Sequence, residues 1–249
     1  MQRDGPRHPE LPASQQGLDA TADRIRERRQ RLEQRLRSAA EAGGYDPFRL
    51  RIVAITKTWP LDVARAAVDA GLTLLGESRV QEAEPKIAAL PDVEWHLVGR
   101  LQTNKARRAV RSFSVIHSVD TLDLLRRIDA LAIEERRTPR ILLQVNLSQG
   151  SGVSGLSREE TDAREVAAAL AKLQAATVVG LMTIAAMGAG EADARATFAA
   201  LRTVRDRLQE RAGVEMSELS MGMSADAEAA AAEGATLVRI GTALFGSRG

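Results

Sequence analysis

Cysteine is absent from the 249 residues. Its absence excludes disulfides, thiolate catalysis, cysteine-ligated metals and thiol-based redox control. Aromatic residues make up 3% of the chain, too few for a surface that stacks single-stranded nucleic acid. No apolar run approaches the roughly 18 residues needed to cross a bilayer. The opening Met1-Gln2-Arg3-Asp4-Gly5-Pro6 lacks the apolar stretch of a signal peptide. A cytoplasmic protein with neither a membrane nor a nucleic-acid partner is the expectation. Charge of one sign is lacking as well: 35 basic residues face 33 acidic ones, for a formal net charge of +2 beside a pI near 9.4. The two signs are interleaved, which reads as a solvated surface. Of the three histidines, His8 falls in the amino-terminal tail. His96 and His117 fall on predicted strands, where hydrogen-bonded core histidines are expected. No pair has metal-ligand spacing with a carboxylate, so no metal is expected.

What the chain does have is apolar residues, 44% of the total, over a length that suits one α/β barrel of about 250 residues. Residues 1–13 carry Gly5, Pro6, Pro9 and Pro12 among polar neighbours and read as a disordered tail. Over 14–42, Leu18, Ala22, Ile25, Leu32, Leu36 and Ala39 mark one face of a long helix that Gly43-Gly44 ends. Short β-branched and leucine-rich runs then recur at 51–56, 73–76, 94–98, 114–118, 140–146, 177–182, 217–220 and 236–240. Helical stretches separate them at 61–70, 78–89, 103–110, 120–136, 157–174, 190–211 and 225–233. Eight strands alternating with helices predict a single-domain (β/α)8 TIM barrel over 14–249. After the eighth strand only Thr242 to Gly249 remain, too few for a full outer helix. The 14–42 helix is expected to cover that seam.

Lys57 closes the first strand, in Ile55-Thr56-Lys57-Thr58-Trp59-Pro60. It is one of only four lysines, with Lys86, Lys105 and Lys172, and the only one that ends such a run. The carboxyl ends of barrel strands are where such folds place their chemistry. Burial there beside Arg239 is expected to favour the neutral amine that nucleophilic attack needs. The loops after strands seven and eight are the usual phosphate site of these barrels. Here they read Ser220-Met221-Gly222-Met223-Ser224-Ala225-Asp226 and Arg239-Ile240-Gly241-Thr242-Ala243. Ser220 offers a hydroxyl, Gly222 lets backbone approach a ligand, and Ser224 is expected to cap a helix beginning at Ala225. Each turn alone is an ordinary strand-to-helix connection. Together they place an anion site at the same mouth as Lys57. A phosphate site facing a strand-end lysine suggests pyridoxal 5′-phosphate, whose aldehyde a lysine can hold as a Schiff base.

Several motifs occur in order: Thr56-Lys57-Thr58, Gly76-Glu77-Ser78-Arg79-Val80-Gln81-Glu82, and Trp95-His96-Leu97-Val98-Gly99-Arg100-Leu101-Gln102-Thr103-Asn104-Lys105. Gly180-Leu181-Met182-Thr183, the Ser220–Asp226 loop, and Arg239-Ile240-Gly241-Thr242 with Phe245-Gly246 follow. In these the chain resembles the pyridoxal-phosphate homeostasis proteins (YggS/PROSC type) over about residues 14–248. That family is similar to the barrel domain of alanine racemase without its second domain. The resemblance implies an alanine-racemase N-terminal-domain-like barrel holding pyridoxal 5′-phosphate on Lys57. It implies phosphate contacts from Ser220, Gly241 and Thr242, with backbone help from Met221, Gly222 and Met223. It further implies that Ser78 and Met182 lie near the cofactor and that Arg239 faces the pyridine nitrogen. An arginine there keeps that nitrogen unprotonated and the ring a weak electron sink.

The implied role is a carrier or regulator in intracellular supply of the cofactor, without established turnover, acting with pyridoxal-phosphate-dependent client enzymes and as a monomer. Three departures from the family pattern stand out: Ser78 replaces an asparagine, Arg100 a frequent histidine, and Val153 a lysine of the segment after strand five. The alternative is a racemase or related enzyme acting on small amino acids, which needs a second base; Tyr45 is the only tyrosine. A third reading is an RNA- or protein-binding scaffold using the arginine-rich first helix, whose Asp23, Glu27, Glu33 and Glu41 argue against it.

Overall fold

The computed structural model describes residues 13–147 and 154–246, apart from positions 163, 187 and 189. The β-branched runs form β1 (Arg51–Ile55), β2 (Leu74–Glu77), β3 (Glu94–Leu97), β4 (Val115–Val119), β5 (Arg140–Gln144), β6 (Thr177–Met182), β7 (Glu218–Met223) and β8 (Leu237–Ile240). All neighbours pair in parallel and β8 pairs back onto β1, closing an eight-stranded barrel in chain order. Closure leaves no free sheet edge, so each strand buries both faces.

The barrel interior is layered. Val53, Ile55, Val115, Leu142, Met182 and Leu237 form an apolar cluster within it. The amino-terminal end is charged: Arg51, Glu94, Arg140 and Glu218 are the first residues of β1, β3, β5 and β7. They pair as Arg51–Glu218 and Arg140–Glu94. Side chains from alternate strands sharing one level is the packing rule of this fold. At this level it yields an ionic floor.

The outer layer is α1 (Ala13–Ala42), α2 (Leu61–Asp69), α3 (Val80–Ala89), α4 (Ala106–Ser112), α5 (Leu122–Glu135), α6 (Arg158–Thr161), α7 (Arg164–Leu170), α8 (Glu191–Ala212), α9 (Ala227–Ala232) and α10 (Thr242–Phe245). No described helix is long and apolar enough to cross a membrane. The last helix has a single turn, and α1 does cover the resulting seam, lying against α9, α10 and α2. It buries Ala22, Ile25, Leu32, Leu36 and Ala40. Its arginines serve as caps: Arg26 and Arg29 donate to the carbonyls of Asp69 and Ala70 at the end of α2, and Arg28 to that of Leu244 in α10. Cations at helix carboxyl ends satisfy orphan carbonyls and oppose the dipole.

Three expectations need correction. The stretch 157–174 is two short helices, α6 and α7. Ser157 and Glu160 form a capping box at its start, and the Asp129 carboxylate takes the backbone N–H groups of Gln174, Ala175 and Ala176 at 2.8–3.1 Å, so helix cannot continue there. The stretch from 103 opens with a 3-10 turn, Thr103–Lys105, before α4. Strand β7 runs on to Met223, so Met221, Gly222 and Met223 belong to the strand rather than to a loop. Gly222 makes this possible. Its φ is +89°, and a Cβ there would sit 2.5 Å from that of Ala230 in α9. The expected tail falls outside the described residues except for Ala13, which starts α1.

Candidate functional site

The carboxyl ends of the strands open into a cavity of about 850 Å³. Among its lining residues are Lys57, Ser78, Arg100, Met223, Ser224, Arg239, Gly241 and Thr242. Sequence reasoning brought most of these together correctly as neighbours at one mouth. Met182, Ser220, Met221 and Gly222 are buried and do not line the cavity. Val153 lies outside the described residues, and Arg100 is exposed at the rim, its Nε 3.8 Å from Asp120 Oδ2.

Lys57 stands in a turn rather than in the strand. Thr56 carbonyl accepts from Trp59 N–H at 3.0 Å, closing a four-residue turn with Lys57 and Thr58 at its centre. Thr58 has φ +64°, a left-handed conformation that a β-branched residue adopts only under strain. The same Thr56 carbonyl accepts from Lys86 Nζ at 2.9 Å. Lys86 also pairs with Glu77 Oε1 at 2.6 Å, and the Thr56 hydroxyl donates to that oxygen at 2.7 Å. This buried lysine–glutamate–threonine cluster anchors the turn that carries Lys57. Sequence reasoning passed over Lys86 and Glu77, yet one signal was present: Val80, Ala83 and Lys86 recur every third residue on the buried face of α3. The burial expected of Lys57 itself is absent, for its side chain is exposed at the mouth. Openness of this kind leaves the amine accessible to a ligand entering from solvent.

Beside the Lys57 turn, on the β8 side of β1, the connections after β7 and β8 interlock. The Ser224 hydroxyl accepts from the backbone N–H groups of Gly241 and Ala243, both at 3.3 Å. Ser224 therefore does not cap the helix expected at Ala225. That helix is α9, which begins at Ala227, and Asp226 stands at its N-cap position with its carboxylate accepting from Met223 N–H. The Ser220 hydroxyl points away from the cavity, accepting from Arg239 Nη1 at 2.6 Å and meeting His117 Nδ1 at 2.9 Å. On the β7 and β8 side the cavity is lined by Ser224, Gly241 and Thr242, with the Gly241 N–H already given to Ser224 Oγ.

Arg239 is buried at 6% exposure and still reaches the cavity wall. Nη2 donates to the Thr183 carbonyl at 2.9 Å, so two of its nitrogens are fixed by the protein. Burial lowers its pKa to about 10, with Asp226 opposing the shift. It remains a cation at neutral pH. None of the described residues lining the cavity is an aspartate, glutamate, histidine or tyrosine. Tyr45 precedes β1 at the other end of the barrel, its ring packed against Gly234 and under Arg202. Among the described residues, no group of three or more histidines and carboxylates could hold a metal ion.

A family model described as the N-terminal domain of alanine racemase matches residues 20–249. The pyridoxal phosphate homeostasis protein of Synechocystis is 42% identical over 205 residues, which cover 81% of this chain and 93% of the relative. The solved structure of PipY from Synechococcus elongatus, with pyridoxal phosphate bound, is similar at 41% identity and a TM-score of 0.79, covering 89% of this chain and all of that one. Alanine racemase from Corynebacterium glutamicum shares the fold, with 18% identity and a TM-score of 0.66, and the match covers 93% of this chain and 62% of the racemase. With its Lys57 turn, buried Arg239 and closed eight-stranded barrel, the chain belongs to the pyridoxal phosphate homeostasis protein family.

Proposed function

We propose that this protein binds pyridoxal 5′-phosphate at the barrel mouth, with Lys57 as the amine of attachment, and serves in homeostasis of that cofactor without catalytic turnover. The observation that carries this reading is one cavity faced by an accessible lysine, a buried arginine and a cluster of hydroxyl and N–H donors. When bound, the cofactor supplies an aldehyde that a neutral amine can hold as a Schiff base, with release of one water. Lys57 provides the amine on a turn fixed by Lys86 and Glu77. The Ser224 and Thr242 hydroxyls are donors suited to a phosphate, with Gly241 holding Ser224 through its N–H. In this reading Ser224 replaces Ser220 among the phosphate contacts, because the Ser220 hydroxyl is committed to Arg239 and His117. Arg239, held as a cation, has N–H groups to offer a ring nitrogen and no proton to release near neutrality.

The lack of turnover is supported by what lines the cavity. Racemisation needs a proton acceptor on each face of the substrate, and beyond Lys57 the described lining offers no ordinary general base. Tyr45, at the other end of the barrel, cannot serve. Client enzymes are the partners this role implies, and a cytoplasmic setting suits it. The test is an absorbance titration of the purified chain with pyridoxal phosphate, for wild type and Lys57→Ala, followed by incubation with single amino-acid enantiomers. A protein-dependent band lost in Lys57→Ala, with optical purity retained, is expected. Loss of optical purity that depends on Lys57 would replace the carrier reading by an enzyme.

A further inference from the structure

A column of polar side chains runs through the barrel core from the ionic floor to the mouth. Glu94 Oε1 meets His96 Nε2 at 2.9 Å. His96 Nδ1 meets His117 Nε2 at 2.7 Å, and His117 Nδ1 meets Ser220 Oγ at 2.9 Å. Ser220 Oγ in turn accepts from Arg239 Nη1 at 2.6 Å. Both imidazoles are buried, as is Ser220. The floor end is held by Arg140, which pairs with Glu94, and by Arg51, which pairs with Glu218.

The carboxylate at one end, with both imidazoles neutral, sets the direction of the links. Glu94 is ionised, its pKa lowered to about 2 by the hydrogen bond with His96 and by the Arg140 charge. A carboxylate only accepts, so His96 Nε2 carries a hydrogen. Burial disfavours the charged form of both rings; at His96 it outweighs the Glu94 carboxylate, which favours the cation, and Arg140 and Arg51 add to it, while at His117 Arg239 and Arg140 push the same way as burial. Neutral His96 then has a bare Nδ1, which must accept from His117 Nε2–H. Neutral His117 likewise has a bare Nδ1, which accepts the Ser220 hydroxyl hydrogen. At the other end arginine only donates, so Ser220 oxygen accepts from it and keeps its own hydrogen available for His117. The links run in one direction, from Arg239 down to Glu94.

We propose that Glu94, His96, His117 and Ser220 form a one-way donor chain that holds the Arg239 guanidinium in the orientation it presents to the cavity. His117 and His96 are thus positioning residues for the ring-nitrogen contact. This rests on the proposed binding of pyridoxal phosphate for its consequence, though not for the chain itself. A reversed chain would require His96 to carry hydrogens on both ring nitrogens, one for Glu94 and one for His117, and so to be a buried cation. Cutting the chain at His117 leaves the Ser220 hydroxyl without its acceptor, lets it rotate, and frees the Arg239 guanidinium to tilt.

Two measurements test this. In the full chain labelled with 15N-histidine, His96 and His117 should both appear as neutral Nε2–H tautomers from pH 6 to 8 without cofactor. An Nδ1–H tautomer at either ring, or a ring that charges in that range, would overturn the chain. The second uses His117→Phe, which keeps a ring of similar size, and His117→Asn, whose side-chain oxygen can accept from Ser220. With pyridoxal phosphate, His117→Phe should bind at least tenfold more weakly, and its bound absorbance band should vary between pH 6 and 9 where that of wild type is constant. His117→Asn should restore most of the affinity and the constant band. A folded His117→Phe with wild-type affinity and a constant band would overturn the positioning role. If His117→Phe does not fold, Ser220→Ala cuts the next link and should give the same weakened binding and pH-dependent band; wild-type behaviour would refute the role there. Failure of wild type to bind pyridoxal phosphate would refute the functional reading, and the tautomers would still decide the chain.

Discussion

The buried histidine pair makes folding stability depend on pH in a window that the ionic floor does not touch. Burial lowers the pKa of both imidazoles below the ordinary 6.5, that of His117 well below it. The folded state resists protonation of both rings, His117 the more strongly, whereas the unfolded chain takes up protons as pH falls through about 6.5. For a base with a depressed folded pKa, stability is fully present above the unfolded value and is lost as pH falls. Between pH 7.5 and 5.5, proton uptake by one such group in the unfolded chain costs about 1.3 kcal/mol. His117 should contribute that amount and His96 up to as much again, so roughly 2 kcal/mol should be lost. Glu94, with its pKa held at about 2, stays ionised throughout this window and contributes no slope there. Its own stabilisation is lost only as pH falls from about 4.5 toward 2. The assay is urea unfolding at pH 7.5 and 5.5, converting midpoints with the measured slope. A stability unchanged across this interval would refute the neutral, buried histidine pair.

Deleting residues 1–42 should remove the burial of Ile25, Leu32 and Leu36, about 2 kcal/mol for each side chain, and expose the seam. Thermal unfolding should then begin many degrees lower, and an unchanged melting curve would contradict the cover role of α1. Lys86→Met leaves the buried Glu77 carboxylate without its cation, at a cost of about 3–5 kcal/mol; chemical unfolding measures it, and a loss under 1 kcal/mol would show that Lys86 anchors nothing. Ser224→Ala should weaken pyridoxal phosphate binding roughly tenfold, in keeping with the loss of one hydrogen bond to a charged group. Equilibrium titration reads this, and wild-type affinity would remove Ser224 from the phosphate contacts.

The barrel was legible because short apolar-rich runs, β-branched in β1, β4, β5, β6 and β8, recur between helical stretches, and all eight were located within a few residues. Eight such runs with helices between them leave few topologies open. The Lys57 mouth was legible for the same reason: strand ends fix which loops converge. The end of the helical stretch after α7 was not, since it depends on Asp129 reaching the backbone of 174–176 from α5. The direction of the Ser220 hydroxyl was hidden too. Alternation along β7 puts Ser220 on the inner face, yet only barrel closure brings His117 to it across 103 residues of chain, to meet it beside Arg239 of the neighbouring β8. Lys86 ends no strand run, and only its i, i+3 partners Val80 and Ala83 mark it as belonging to the buried face of α3.

Borohydride reduction of the protein incubated with pyridoxal phosphate, followed by peptide mass mapping, tests the central claim most directly. The account predicts a single pyridoxyl adduct on the peptide containing Lys57, abolished in Lys57→Ala. An adduct on Lys86, spread over Lys105 and Lys172, or absent altogether would contradict it.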